Sequence, residues 1–146
     1  MEKLNFSIDI NAPKEKVWNI LWDDATYPQW TGVFCEGSHA KTDWQEGSKV
    51  LFLDNKGSGM VSKIETKKPN EFMSFKHLGE VKDNVEDTSS EKVKGWAGAL
   101  ESYTLKESGA VTTLSVDMDI VEEFKDYFLK TFPGGLEKVK ELSENN

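Results

Sequence analysis

The sequence predicts an α+β domain, an antiparallel sheet with a helix at each end, and three observations predict it. Residues 4–10 alternate apolar and polar with the period of two that marks a half-buried strand. From about residue 48 to residue 121, short strand-like runs follow one another, separated by turns rich in glycine, lysine and asparagine. From Glu122 the apolar period becomes that of a helix. Consecutive strands bracketed by helices pack as layers around one core. At 146 residues the chain has the length of one domain, read as 1–146.

Each element follows from its residues. In the first strand Leu4, Phe6, Ile8 and Ile10 point one way and Asn5, Ser7 and Asp9 the other. Asn11 is placed as the N-cap of the next helix, with Pro13 near its first turn, where a missing N–H costs nothing. That helix carries Val17, Ile20 and Leu21 on one face, with Trp18 and Trp22 beside it. Tyr27-Pro28 interrupts it, and Trp30 falls in a short irregular turn. After Phe34 come strands: one ending at Gln45-Glu46-Gly47, then 48–53, 60–66 and 72–78. Residues 79–94 are polar and mostly acidic, and read as a long loop. Strands at about 95–105 and 111–121 meet in a hairpin around Ser108-Gly109. In the last helix Phe124, Phe128, Phe132, Leu136, Val139 and Leu142 fall near one stripe, with Tyr127 at its margin. Pro133-Gly134-Gly135 within it predicts a kink or two successive helices.

This order, with particular residues, resembles the START-like or helix-grip superfamily, and within it the relatives of the Hsp90-ATPase activator (AHSA1-like). The matching segments are Ile10-Asn11-Ala12-Pro13-Lys14-Glu15-Lys16-Val17-Trp18, Tyr27-Pro28-Gln29-Trp30 and Trp44-Gln45-Glu46-Gly47. Gly59-Met60-Val61 leading to Lys68-Pro69-Asn70 matches as well, as does Phe132-Pro133-Gly134-Gly135-Leu136. Leu136 departs from the pattern, since such proteins often carry a tryptophan there. The resemblance implies a curved antiparallel sheet wrapped around a long C-terminal helix, with a mostly apolar cavity between them. It spans lipid carriers, hormone receptors, polyketide cyclases and aromatases, and co-chaperone domains, which share a cavity rather than a reaction.

Composition narrows the partners. The formal charge of −8 repels phosphate backbones and anionic lipid, so neither nucleic acid nor membrane insertion is expected. One cysteine, Cys35, allows no internal disulfide and no cysteine metal cluster. The two histidines are far apart in sequence, and no metal or other cofactor is called for. Met-Glu-Lys-Leu-Asn-Phe is not an apolar leader, and a cytoplasmic location is the default expectation.

Three polar residues are candidates for an inner wall. A turn at Ser108-Gly109 pairs Lys106 with Val111, Tyr103 with Leu114 and Glu101 with Val116. Leu114, Val116, Met118 and Ile120 form the apolar face, so Glu101 and Tyr103 point inward with them, unless the register slips by one. An inward Glu101 is either a general acid/base or ligand-binding carboxylate, or a glutamate at the cavity mouth or paired with lysine. Tyr103 either orients a ligand or fills the core. With Ser74 and Lys76 facing water, Met73, Phe75 and His77 face inward, and His77 is either a proton carrier or a histidine hydrogen-bonded in place. Trp30, Phe52, Phe75, Trp96, Phe128 and Phe132 exceed what a thin core needs, and some are expected to line a ligand site. The acidic 83–91 stretch is either solvated or a lid.

Three functions follow, in order. The first is non-catalytic binding or transport of a small hydrophobic molecule. The second is an enzyme of cyclase or dehydratase type, which requires His77, Glu101 and Tyr103 to converge. The third is a protein-interaction module with a chaperone or a second copy of the chain as partner.

Overall fold

The computed structural model describes residues 1–145. The chain runs β1 (Glu2–Ile10), α1 (Lys14–Trp22), α2 (Tyr27–Thr31), β2 (His39–Lys41), β3 (Lys49–Leu53) and β4 (Gly59–Lys68). It continues through β5 (Phe72–Lys82), β6 (Val85–Asp87), α3 (Glu91–Lys94), β7 (Leu100–Ser108) and β8 (Val111–Ile120) to α4 (Glu122–Glu144). Seven strands form one antiparallel sheet in the order β1-β8-β7-β5-β4-β3-β2, and β6 pairs with the end of β5. Helix α4 packs against β1, α1 and α2, which gives the helix-grip arrangement. No helix among the described residues is long and apolar enough to cross a membrane.

The matched apolar faces of β1 and β8 anchor this arrangement. Leu4 pairs with Met118, Phe6 with Val116 and Ile8 with Leu114, and directly paired residues share a face. Leu114, Val116, Met118 and Ile120 are all buried, as their alternation predicts. Phe6 stacks on Phe132 of α4 with ring centroids 4.8 Å apart. Thr112 donates to the Ala12 carbonyl at 2.7 Å and fixes the start of α1 against β8.

Several boundaries differ from expectation, each for a local reason. Asn11 does not cap α1; the Ala12 amide bonds the Ile10 carbonyl, so the corner forms earlier and Pro13 occupies the N-cap. The amide of Asn11 instead reaches Glu144 at the far end of α4. The turn after Tyr27 is a five-residue helix, with Pro28 in its first turn, where no donor is missed. Between Phe34 and Gln45 only His39–Lys41 pairs as a strand.

Residues 79–94 are not a long loop. β5 continues to Lys82, Asp83 and Asn84 turn with φ of 49° and 67°, and β6 returns. Ser90 then caps α3, and Val93 is completely buried. The region reads as polar because β6 is a three-residue strand with Val85 exposed, and Val81 alone of the large apolar residues at 79–87 is buried, in a small cluster with Leu53 and Val61. β7 accordingly starts at Leu100 rather than at residue 95.

The β7–β8 hairpin turns at Gly109-Ala110, because Ser108 pairs with Val111. Gly109 has φ 63°, the conformation that the first turn position of a two-residue hairpin favours. Glu101 therefore faces Met118, and Tyr103 faces Val116. The register lies two residues from the predicted one, and a shift of two preserves the face. Ser74 is buried, not solvent-facing. Helix α4 is continuous through Pro133, because Phe132, Leu136 and Val139, on either side of the missing hydrogen bond, are all locked into the core.

Candidate functional site

Strand pairing aligns Phe75 of β5, Glu101 of β7 and Met118 of β8 in one row. Glu101 takes its inward direction from these apolar neighbours. His77 lies two residues along β5 from Phe75, and Tyr103 two residues along β7 from Glu101, so period two puts all three polar groups on one face. They converge. His77 Nε2 is 3.1 Å from Glu101 Oε1, and the Tyr103 hydroxyl donates to Glu101 Oε2. On its other side His77 Nδ1 lies 2.6 Å from the hydroxyl of Ser62 on β4.

A bulge brings Ser62 into this chain. Val61 pairs with Gly79 but Ser62 with His77, leaving Leu78 as the extra residue. The bulge also resets the alternation, so that His77 and Glu80 line the same pocket although they stand three positions apart. Gly79 permits the fit with β6, since a Cβ there would lie 2.1 Å from the Asp87 carbonyl oxygen. Ser62 was not a predicted site residue, because the sequence carries no local sign of the bulge.

The network sits in low-dielectric surroundings. Ser62, His77 and Tyr103 are buried, and the Glu101 side chain is 20% exposed. Burial pushes the Glu101 carboxyl up, but the hydrogen bond and charge of His77 and the Tyr103 hydroxyl outweigh it, and the carboxyl titrates below its ordinary value. An ionised Glu101 requires a proton on the facing His77 Nε2. Burial first, then the charge of Glu101, holds the Tyr103 phenol well above its ordinary value. The same two causes act on Tyr27.

Two openings flank this network. The larger, about 300 Å³, is walled by Trp96 and Ala99, by Met118 and Ile120 of β8, and by Phe124 of α4. The smaller, about 180 Å³, is walled mainly by Tyr27, Trp30, Phe34, Phe52, Tyr103 and Phe132. Met60, His77, Glu101, Tyr127 and Phe128 belong to both. At the rim Glu80 faces Lys92 at 3.4 Å, and Asp119 pairs with Lys3 and accepts from the Leu100 amide at 3.0 Å.

Of the residues singled out from sequence, His77 and Glu101 lie between the openings and Phe128 beside them. Trp96 lines the larger opening, and Trp30, Phe52, Tyr103 and Phe132 the smaller. Phe75 lines neither. It is 1% exposed, with its ring centroid 5.3 Å from Trp22 and 5.1 Å from Phe52. Met60, Met118, Ile120, Phe124 and Tyr127 are lining residues that sequence reasoning did not single out for the site. Phe124, Met118 and Ile120 were visible in it as apolar stripes, a signal that does not separate a pocket wall from core. Among the described residues no group of three or more His, Cys, Asp and Glu side chains could hold a metal ion.

Comparison with known proteins adds the lineage. A family model described as Activator of Hsp90 ATPase homolog 1-like protein matches residues 11–138. The search of curated protein sequences gave no match. Among solved structures, the chain is similar to the Aha1 dimer from Colwellia psychrerythraea, at 18% identity and a TM-score of 0.76 over 99% of this chain and 97% of that one. It is similar to protein MLL2253 from Mesorhizobium loti, at 14% identity and a TM-score of 0.76 over 97% and 96%. It is also similar to CalU16 from Micromonospora echinospora, at 14% identity and a TM-score of 0.69 over 97% and 65%. At these identities the likeness establishes the fold.

Proposed function

The chain belongs to the Activator of Hsp90 ATPase homolog 1-like family, and from its geometry we propose that it binds a small, largely apolar molecule between α4 and the sheet. One observation carries this reading: an apolar pocket of about 300 Å³ converges on a single polar network, His77–Glu101–Tyr103. Specific small-molecule sites have this form, with an apolar wall for affinity and a few fixed polar groups for orientation. Thermal unfolding in the presence of neutral apolar probes, with native mass spectrometry to count bound molecules, tests it. A midpoint that rises with probe concentration and a one-to-one complex are expected. No shift and no complex with any apolar probe would overturn the reading.

A second reading has its own support. An ionised carboxylate beside a histidine, open to an apolar pocket, is placed to accept a proton from a bound molecule. Glu101 would be the acceptor, and His77 and Tyr103 would hold it in position. Solvent deuterium entering a C–H position of a bound ligand, and lost in Glu101→Gln, is the expected sign; ligands that bind without exchange would remove it. The relative described as a dimer makes a second copy of this chain a partner to test, and the family description does the same for a chaperone. Sedimentation equilibrium of the protein alone addresses the first; a single monomeric species at high concentration would exclude it.

A further inference from the structure

The polar centre of the pocket can be analysed donor by donor. His77 Nε2 carries its proton toward Glu101, and His77 Nδ1 is engaged by the Ser62 hydroxyl. The one proton of the Tyr103 hydroxyl is given to Glu101 Oε2. Both ring nitrogens and the phenol proton are thus committed inside the protein. What remains are acceptors: a carboxylate has about four lone-pair sites and Glu101 uses two of them, while the Tyr103 oxygen keeps its own lone pairs. Of the other residues common to both openings, Met60 and Phe128 supply no donor, and Tyr127 gives its proton to the Phe34 carbonyl; outside that shared set, Trp96 in the larger opening and Tyr27 in the smaller carry ring N–H and O–H groups. At the rim the acids Glu80 and Asp119 face Lys92 and Lys3, and the N-terminal amine acts on Asp119 as well, so negative charge at the centre of the site comes from Glu101.

We infer that the site selects molecules bearing a hydrogen-bond donor, a hydroxyl or a protonated amine on an apolar body, and excludes carboxylates and other anions. An anionic head placed between the two openings would face the Glu101 carboxylate in a low-dielectric setting, where the protons of His77, Tyr103 and Tyr127 are already committed within the protein. A donor there completes the lone pairs of Glu101 by a charge-assisted hydrogen bond. The two openings on either side leave room for apolar parts flanking the donor. The aromatic rings of Phe128 and Tyr127 beside Glu101 favour a cationic head further. This inference rests on the binding reading above and names the chemistry of its ligand.

The test uses four probes with one ring system, titrated calorimetrically at neutral pH into the full chain: naphthalene, naphthol, naphthylmethylamine and naphthoate. Naphthol and naphthylmethylamine are expected to bind at least about tenfold more tightly than naphthoate, as one hydrogen bond to a charged acceptor implies. Glu101→Gln, which supplies an amide donor in place of a carboxylate, is expected to bring naphthoate to within about threefold of naphthol. A folded control, checked by circular dichroism, keeps that comparison sound. Should Glu101→Gln not fold, Tyr103→Phe provides the second arm. It leaves one oxygen of Glu101 without its internal donor, and is expected to widen the preference for the amine. If naphthoate binds the unaltered protein as tightly as naphthol, the inference falls while the apolar-ligand reading survives. If none of the four binds, not even naphthalene, both fall.

Discussion

The two halves of α4 share one stripe in sequence and behave differently in the structure. Beyond the middle of the helix, Phe132, Leu136 and Val139 are 2%, 3% and 0% exposed. Before it, Phe124 is 40% exposed, Tyr127 at the margin 43%, and Phe128 is half-buried. The closed half packs against β1 and α1, with Ile10, Val17 and Leu21 completely buried in the same core. The open half is fastened by isolated contacts: the Tyr127 hydroxyl donates to the Phe34 carbonyl, and Lys125 reaches Glu2 at 2.9 Å. Phe124 and Phe128 there line the pocket. One half of the helix thus holds the fold and the other presents a wall to a ligand.

The largest expected effect tests that division directly. Leu136→Ala removes a buried side chain from the closed half and should cost about 2–5 kcal/mol of unfolding free energy. Phe124→Ala removes a larger side chain from the open half and should cost less than about 1 kcal/mol, since it is already partly in water. It should, however, weaken binding of a neutral apolar probe several-fold. Urea titrations of both variants with calorimetry on Phe124→Ala decide it. Comparable destabilisation by the two would mean that the open half is also core.

The polar network gives the next test, because it belongs to the open half and yet ties β4, β5 and β7 together. In the folded chain the Glu101 carboxyl titrates below its ordinary value of 4.5, so between the two values the unfolded state binds more protons. That stabilisation is complete above about 4.5 and is lost as pH falls through the folded value. Asp43, Asp54, Asp87, Asp119 and Glu144 are shifted in the same direction, so the whole protein weakens in acid. Glu101→Gln should therefore cost about 1–3 kcal/mol at neutral pH and lose less stability than the parent on acidification. Parallel stability–pH curves for parent and variant would show that Glu101 contributes nothing to this loss.

The same division explains what the sequence made legible. Period-two alternation revealed the buried face of β8, and through it the inward direction of Glu101 and Tyr103, even though the register was two residues off. A face depends only on parity, whereas a register depends on a turn whose residues, Ser108-Gly109-Ala110, fit two placements. The join to Ser62 was hidden, because it depends on Leu78 bulging out of the β4–β5 ladder, and no residue type announces that. The hairpin of β5 and β6 was hidden because β6 is only three residues long and, of the large apolar residues at 79–87, only Val81 is buried, too little for an alternation to show. Phe75 and Phe128 looked equivalent as aromatic residues on apolar faces. Only the packing of Trp22 and Phe52 around one, and the openings beside the other, tells core from wall.

The smallest effect falls at the boundary between the halves. Pro133 is exposed, and α4 passes through it without interruption. A proline inside a helix removes one backbone hydrogen bond and crowds the preceding turn, while its stiffness lowers the entropy of the unfolded chain. Pro133→Ala restores the bond to the Leu129 carbonyl and should stabilise the protein by about 2 kcal/mol, the helix-interior cost of proline less that entropy. Because Leu129 stands at the end of the open half, the restored bond should also slow amide exchange from about residue 126 to residue 133. Slower exchange without added stability would mean that the open half frays independently of global unfolding. Added stability without slower exchange would place the gain in the closed half alone, and the division of α4 would then lie before Leu129 rather than at Pro133.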